Sequence, residues 1–192
     1  MSVPAYPRLQ EALLYAAKHH RDQDREGSFP LPYITHPIDV VCRLRYTGGI
    51  VDEEVLASAV LHDLIEETNV SLQEIGDRFG GRVAQLVHEM TREEPDTETR
   101  AQMDKDAIWE LRTGLLLTEI RERMSDEART VKLADRLSNL SEAVRTRAPE
   151  RLARYIRQTR LILEAIPRTV NPALWDALTA EANTIEAERF PA

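Results

Sequence analysis

The stretch Val60-Leu61-His62-Asp63-Leu64-Ile65-Glu66-Glu67-Thr68 sets four groups able to ligate a metal or move a proton into an otherwise apolar run. From Asp52 onward, Val55, Leu56, Ala59, Val60, Leu64 and Ile65 recur at roughly helical spacing. Asp52 is placed to cap that helix, with Glu54 supporting its first turn. The spacing predicts one helix from Asp52 through the acidic pair. On it, Glu66 and Glu67 stack one turn beyond His62 and Asp63, broadly on one face. The plain alternative is a solvated charged face. Charges that interrupt a buried helix argue against it, because charged groups avoid burial unless paired or bound to metal.

The rest of the chain also reads as helices. Helix 1 runs from Tyr6 to about Arg21, with Leu9, Leu13, Ala16 and Ala17 near one face. Asp22 to Leu31 has loop composition and holds Arg25. In Pro32-Tyr33-Ile34-Thr35-His36-Pro37, a helix starts at Thr35 or His36 with proline at its first position, and it stops at Gly48-Gly49. His36 thus stands on a stiff corner, although a lone histidine is more often structural or exposed.

Ser71-Leu72-Gln73-Glu74 is a capping box for a short helix ending at Phe79-Gly80-Gly81. Arg82 to Thr91 follows, with His88 in a packing or surface role. Arg92 to Asp106 is polar, a loop or frayed helix start and a candidate flap. Ala107 to Met124 is helical with Ile108, Leu111, Leu115 and Ile120 inward. After Ser125, a helix carries Leu133, Leu137 and Leu140 as a core stripe and Lys132, Asp135 and Asn139 as a second one. Helices over about Pro149–Ile166 and Pro172–Phe190 close the chain. The prediction is all-α, one domain over 1–192, with its core at about 5–166 and a C-terminal helix at about 172–190.

With 192 residues, 42% hydrophobic, one core suffices. A net charge of −8 with no basic block argues against nucleic acid as a partner. An anionic substrate stays open, since a divalent cation reverses the local field. Cys42 is the only cysteine, so no internal disulfide can form, and it reads as core filler. No N-terminal apolar segment or span of about 20 apolar residues is present, so a cytoplasmic protein without membrane attachment is expected.

Three segments therefore offer His36, His62-Asp63 and Asp135. Two imidazoles with two carboxylates suit a borderline or hard divalent ion, Mn²⁺ first and Zn²⁺, Fe²⁺ or Mg²⁺ after it. Such an ion supplies hydroxide near neutrality and neutralises a phosphate oxygen, while Glu66 and Glu67 could accept or return a proton.

The blocks PYITHPIDVV, VLHDLIEETNVSLQEIGDRFGGRVAQLV and VKLADRLSNL, in that order, resemble the HD-domain metal-dependent phosphohydrolases. More narrowly, they resemble the hydrolase domains of RelA/SpoT-type enzymes and the single-domain small alarmone hydrolases. The resemblance spans about residues 20 to 165. It implies a helical HD-domain bundle with one Mn²⁺, held by His36, His62, Asp63 and Asp135. The implied reaction is hydrolysis of the 3′-pyrophosphate of guanosine tetra- or pentaphosphate to GDP or GTP. Glu66 and Glu67 match the catalytic acidic pair; Arg25 and Asn139 match substrate contacts; Lys132 shares the face of Asn139.

The chain departs from the family pattern in places. Glu67 stands where the family usually has Asp, the loop from Glu26 to Leu31 reads about two residues longer than in the bifunctional members, and Ser138 replaces a common histidine. Alarmone synthesis is not expected, because the chain ends without a synthetase domain. Two alternatives stay open: an HD phosphohydrolase acting on another phosphorylated nucleotide such as NADPH, and a module that binds the alarmone without cutting it.

Overall fold

Every residue from Val55 to Leu61 is buried, so the helix that contains them runs through the middle of the molecule rather than along its surface. The structure, a computed structural model, describes residues 6–27 and 30–191. The helices are α1 (Pro7–His19), α2 (Thr35–Cys42), α3 (Glu53–Leu61), α4 (Leu64–Glu67), α5 (Leu72–Phe79), α6 (Gly81–Met90), α7 (Thr97–Gln102), α8 (Lys105–Glu122), α9 (Asp126–Thr146), α10 (Pro149–Ala165) and α11 (Pro172–Arg189). The fold is all-α; among the described residues the only β feature is an isolated bridge between Asp24 and Pro32.

α3 serves two apolar clusters. Its Val55, Leu56 and Ala59 join residues of α2, α6 and α8 to α11, including Leu133, Leu137 and Leu140 of α9. Its Ala57, Val60 and Leu61 join Tyr15 and Ala16 of α1, Ile75 and Phe79 of α5 and Val83 of α6. Polar groups fix the entry to α3. Asp52 accepts the N–H groups of Glu54 and Val55. Glu53 reaches across to accept Arg8 N–H at 2.7 Å and Leu9 N–H at 3.2 Å, satisfying the first turn of α1, which has no side-chain cap of its own. Ser71 and Glu74 form the expected capping box at α5.

α2 ends in a π-helical turn, Arg43–Thr47. Gly48 then packs so close to α11 that a Cβ there would meet Leu174 Cδ1 at 2.8 Å and Leu44 O at 2.9 Å. Asn171, the α11 N-cap, donates its side-chain N–H to Gly48 O at 3.0 Å, so the C-terminal helix locks the end of α2.

Four expectations need correction. The helix from Asp52 does not run on through Glu67: it stops at Leu61 and restarts at Leu64. The Ala59 carbonyl, which a continuous helix would pair with a backbone N–H, accepts His62 Nδ1–H at 2.8 Å, and Asp63 bends to φ −91°, ψ −6°. Cys42 is exposed, not core, because it ends α2 on the side away from Val40. The polar stretch from Arg92 contains α7, capped by Asp96 accepting Thr99 N–H at 2.8 Å. In α8 the buried positions are Thr113, Leu116, Glu119 and Ile120. Ile108, Leu111 and Leu115 are only half-buried, since one helical face near Leu116 meets the core.

Candidate metal centre and active site

His36 enters at the start of α2, His62 and Asp63 in the break between α3 and α4, and Asp135 from the middle of α9. Adjacent residues of a continuous helix diverge by about 100°. At the break between α3 and α4 the two side chains nonetheless meet, and His62 Nε2 lies 3.1 Å from Asp63 Oδ1. His36 Nε2 lies 3.2 Å from Asp135 Oδ1 and 3.5 Å from Asp63 Oδ2. Donor atoms of His36, His62 and Asp135 all fall within 4.8 Å of one another.

The donors are oriented from behind. His62 Nδ1–H is used by Ala59 O, which leaves Nε2 as the outward nitrogen. His36 Nδ1 lies 3.1 Å from Ser138 Oγ. Tyr33 O–H donates to Asp63 Oδ2 at 2.6 Å, while Lys132 Nζ at 3.1 Å and Asn139 Nδ2 at 2.6 Å donate to the two oxygens of Asp135. Yet His62 Nε2 is buried with no hydrogen-bond partner. An orphaned imidazole nitrogen facing two carboxylates fits a divalent cation.

Burial opposes charge on His62, but Asp63 and Asp135 outweigh it and lift its pKa to about 9. Burial likewise pushes the aspartates up, and their neighbours win: His62, His36 and Tyr33 hold Asp63 low, while Lys132, His36 and His62 hold Asp135 well below the carboxylate range. The site is a compact exchange of opposite charges. A cation would replace its protons.

These groups line a cavity of about 460 Å³. Glu66, Glu67, Arg25 and Asn139 line it too, so all eight residues singled out in the sequence meet in one space. They are not alike. Both oxygens of Glu66 are occupied by Arg92: Oε1 accepts Arg92 N–H at 2.8 Å and Oε2 accepts Arg92 Nε–H at 2.7 Å. The Glu67 carboxylate has no such partner among the described residues. Burial first, then Asp63 and Glu66, raise its pKa against the pull of Arg92. The backbone around Arg25 is pinched by Arg25 N–H on Leu31 O at 2.8 Å and Tyr33 N–H on Gln23 O at 2.9 Å. Its guanidinium binds Glu142 and, at 3.1 Å, Asn139 Oδ1. Of the loop read as longer, Ser28 and Phe29 lie outside the described residues.

Sequence reasoning passed over Arg92, Tyr33, Glu142 and the role of Ser138. Glu142 was within reach of it: three residues beyond Asn139, it continues the stripe that starts at Lys132. Arg92 gave no local signal. His88 is exposed, within the role expected of it. Arg136, a natural partner for Asp135 by proximity, turns away to Thr159 Oγ1, Gln158 Oε1 and Tyr155 O.

Residues 12–163 match the family described as HD domain. The chain is 38% identical over 137 residues to a guanosine-3′,5′-bis(diphosphate) 3′-pyrophosphohydrolase, MESH1, of Xenopus tropicalis, covering 71% of this chain and 70% of that one. The human protein of the same name is 38% identical over 135 residues, covering 70% and 69%. A solved structure described as a metazoan ortholog of SpoT that hydrolyzes ppGpp superposes with a TM-score of 0.77 at 28% identity, over 100% of both chains. With its His-Asp centre assembled from three separate segments, the chain belongs to the HD-domain family.

Proposed function

We propose that this protein is a Mn²⁺-dependent phosphohydrolase that removes the 3′-pyrophosphate of guanosine tetra- or pentaphosphate, giving GDP or GTP and pyrophosphate. The observation that carries the reading is the convergence of His36, His62 and Asp135 donor atoms within 4.8 Å in the lining of a nucleotide-sized cavity. Relatives named for this reaction support the choice of substrate. The whole chain acts as one hydrolase unit in the cytoplasm. No helix of the described residues is long and apolar enough to cross a membrane.

His36, His62, Asp63 and Asp135 would hold the ion. When bound, it supplies Lewis acidity, lowering the pKa of a water and neutralising a phosphate oxygen. The protein's own groups do the rest. Tyr33, Ser138, Lys132 and Asn139 keep the donors aimed. Glu67, whose carboxylate has no partner among the described residues, takes a proton from the attacking water and returns it to the ribose 3′-oxygen; its raised pKa suits both tasks. Glu66, held by Arg92, contributes fixed charge rather than proton transfer. Arg25, from the α1–α2 connection, and Asn139, from α9, meet the nucleoside.

The test is metal reconstitution under anaerobic conditions, followed by product analysis on the tetraphosphate beside a panel that includes NADPH. GDP and pyrophosphate as the fastest products support the reading. Faster turnover of another nucleotide moves the substrate, and intact nucleotide after long incubation with bound Mn²⁺ ends the enzymatic reading.

A further inference from the structure

The cavity is lined by seven carboxylates and five lysine or arginine side chains, so a pyrophosphorylated nucleotide depends on where those cations point. Two of the five point elsewhere, and a third is tied to α9 inside the cavity. Arg136 is buried under Tyr155 and bonded to α10. Arg147 also lies over the Tyr155 ring, 4.2 Å from its centroid, and 3.9 Å from Glu26. Arg25 is committed to Glu142 and Asn139.

Arg92 and Lys132 remain, and both are anchored to carboxylates of the His-Asp centre's own surround. Lys132 is buried against Asp135. Arg92 comes in from the α6–α7 connection to Glu66, with a side chain 48% exposed, so that its guanidinium can still reach a ligand. Arg92 acts electrostatically on Lys132, and Arg92 itself feels Asp63 and Asp135. The two cations therefore stand near each other at the centre, each against a carboxylate, Lys132 on Asp135 and Arg92 on Glu66.

We propose that Arg92 and Lys132 form the cradle that grips the pyrophosphoryl group during its transfer. This rests on the hydrolase reading. The water oxygen bonds to the phosphorus that carries the ribose 3′-oxygen, and the bond between that phosphorus and O3′ breaks. O3′ keeps the bonding pair and takes up a proton, and pyrophosphate departs with the new oxygen; nothing is oxidised or reduced. Negative charge gathers on the non-bridging oxygens, where a guanidinium fork offers paired donors and an ammonium offers a point charge. Arg92 thus touches substrate as well as ordering Glu66.

The experiment measures binding of inorganic pyrophosphate to the metal-loaded protein by calorimetry, with metal content and turnover of the tetraphosphate recorded in parallel. Arg92→Gln is expected to weaken pyrophosphate binding about tenfold or more, as for loss of a hydrogen bond to a charged group. Metal content should stay unchanged. Arg92→Lys should recover part of the loss, and Glu66→Gln, which neutralises the carboxylate that competes for Arg92, should not weaken pyrophosphate binding. Unchanged pyrophosphate affinity in Arg92→Gln overturns the cradle. So does an equal loss in Glu66→Gln, which would make Arg92 a positioning residue only. If the unaltered protein itself leaves the tetraphosphate intact, the hydrolase reading beneath the cradle fails instead.

Discussion

One wall of the cavity is built from helices and the other from connections, and the same kinds of side chain are held differently on each. On the helical wall, partners are close in sequence: His62 bonds Ala59 three residues back, and Asp135 is gripped by Lys132 and Asn139 of its own helix. On the other wall, Arg92 is held by Glu66 across 26 residues and Arg25 by Glu142 across 117. Backbone geometry and burial fix the first set. Ion pairs fix the second, and such pairs exchange readily with an incoming anion. The carboxylates of Glu66 and Glu142 stand where phosphate or nucleoside groups would otherwise find the arginines.

The hardest blow to this contrast is Asp135→Ala. It removes the shared partner of His36, His62, Lys132 and Asn139, and both metal content by elemental analysis and turnover are expected at background. Substantial activity without bound metal would show that the helical wall is not where the chemistry happens. Next comes the split within the acidic pair. Glu67→Gln should lower kcat by about 10²- to 10⁴-fold, the usual worth of a positioned proton carrier, and Glu66→Gln by clearly less. The rate needs ionised Glu67, so kcat/KM should rise with pH through its pKa, a limb set above the ordinary carboxylate range by burial, Asp63 and Glu66. That limb should vanish in Glu67→Gln.

Tyr33→Phe probes the bond to Asp63 alone, and metal affinity should fall about tenfold, within the range for outer-shell partners. The smallest effect is expected from Asp52→Ala, a cap far from the nucleotide. It should cost about 1 kcal/mol and a few degrees of Tm at neutral pH while leaving turnover intact. Although burial opposes ionisation, Arg82 and the capped N–H groups depress the Asp52 pKa. The stability it contributes is therefore present above its unfolded value and is lost as pH falls through the folded one, so the two proteins should converge in acid melts.

The sequence made the helical wall readable because its information is periodic. Asp52, Ser71 and Ser125 announce helix starts, and Leu133, Leu137 and Leu140 declare the core side of α9, which leaves Lys132, Asp135 and Asn139 for the cavity. The break after Leu61 was hidden, because periodicity continues smoothly through His62 and Asp63 while a side chain, not a breaker residue, takes the Ala59 carbonyl. Arg92 was hidden for another reason. Nothing near it in sequence indicates Glu66, and an arginine in a polar stretch reads as solvated until the chain folds back.

The His-Asp centre also bears on how the protein unfolds. Its clustered donors His36, His62 and Asp135 come from distant parts of the sequence, and the Ser138 hydroxyl against His36 spans 102 residues. An ion there acts as a removable staple that draws distant segments of chain together, and occupancy and global melting become a single linked equilibrium. For this protein a chelator should therefore behave as a mild denaturant, with thermal resistance tracking the free metal concentration.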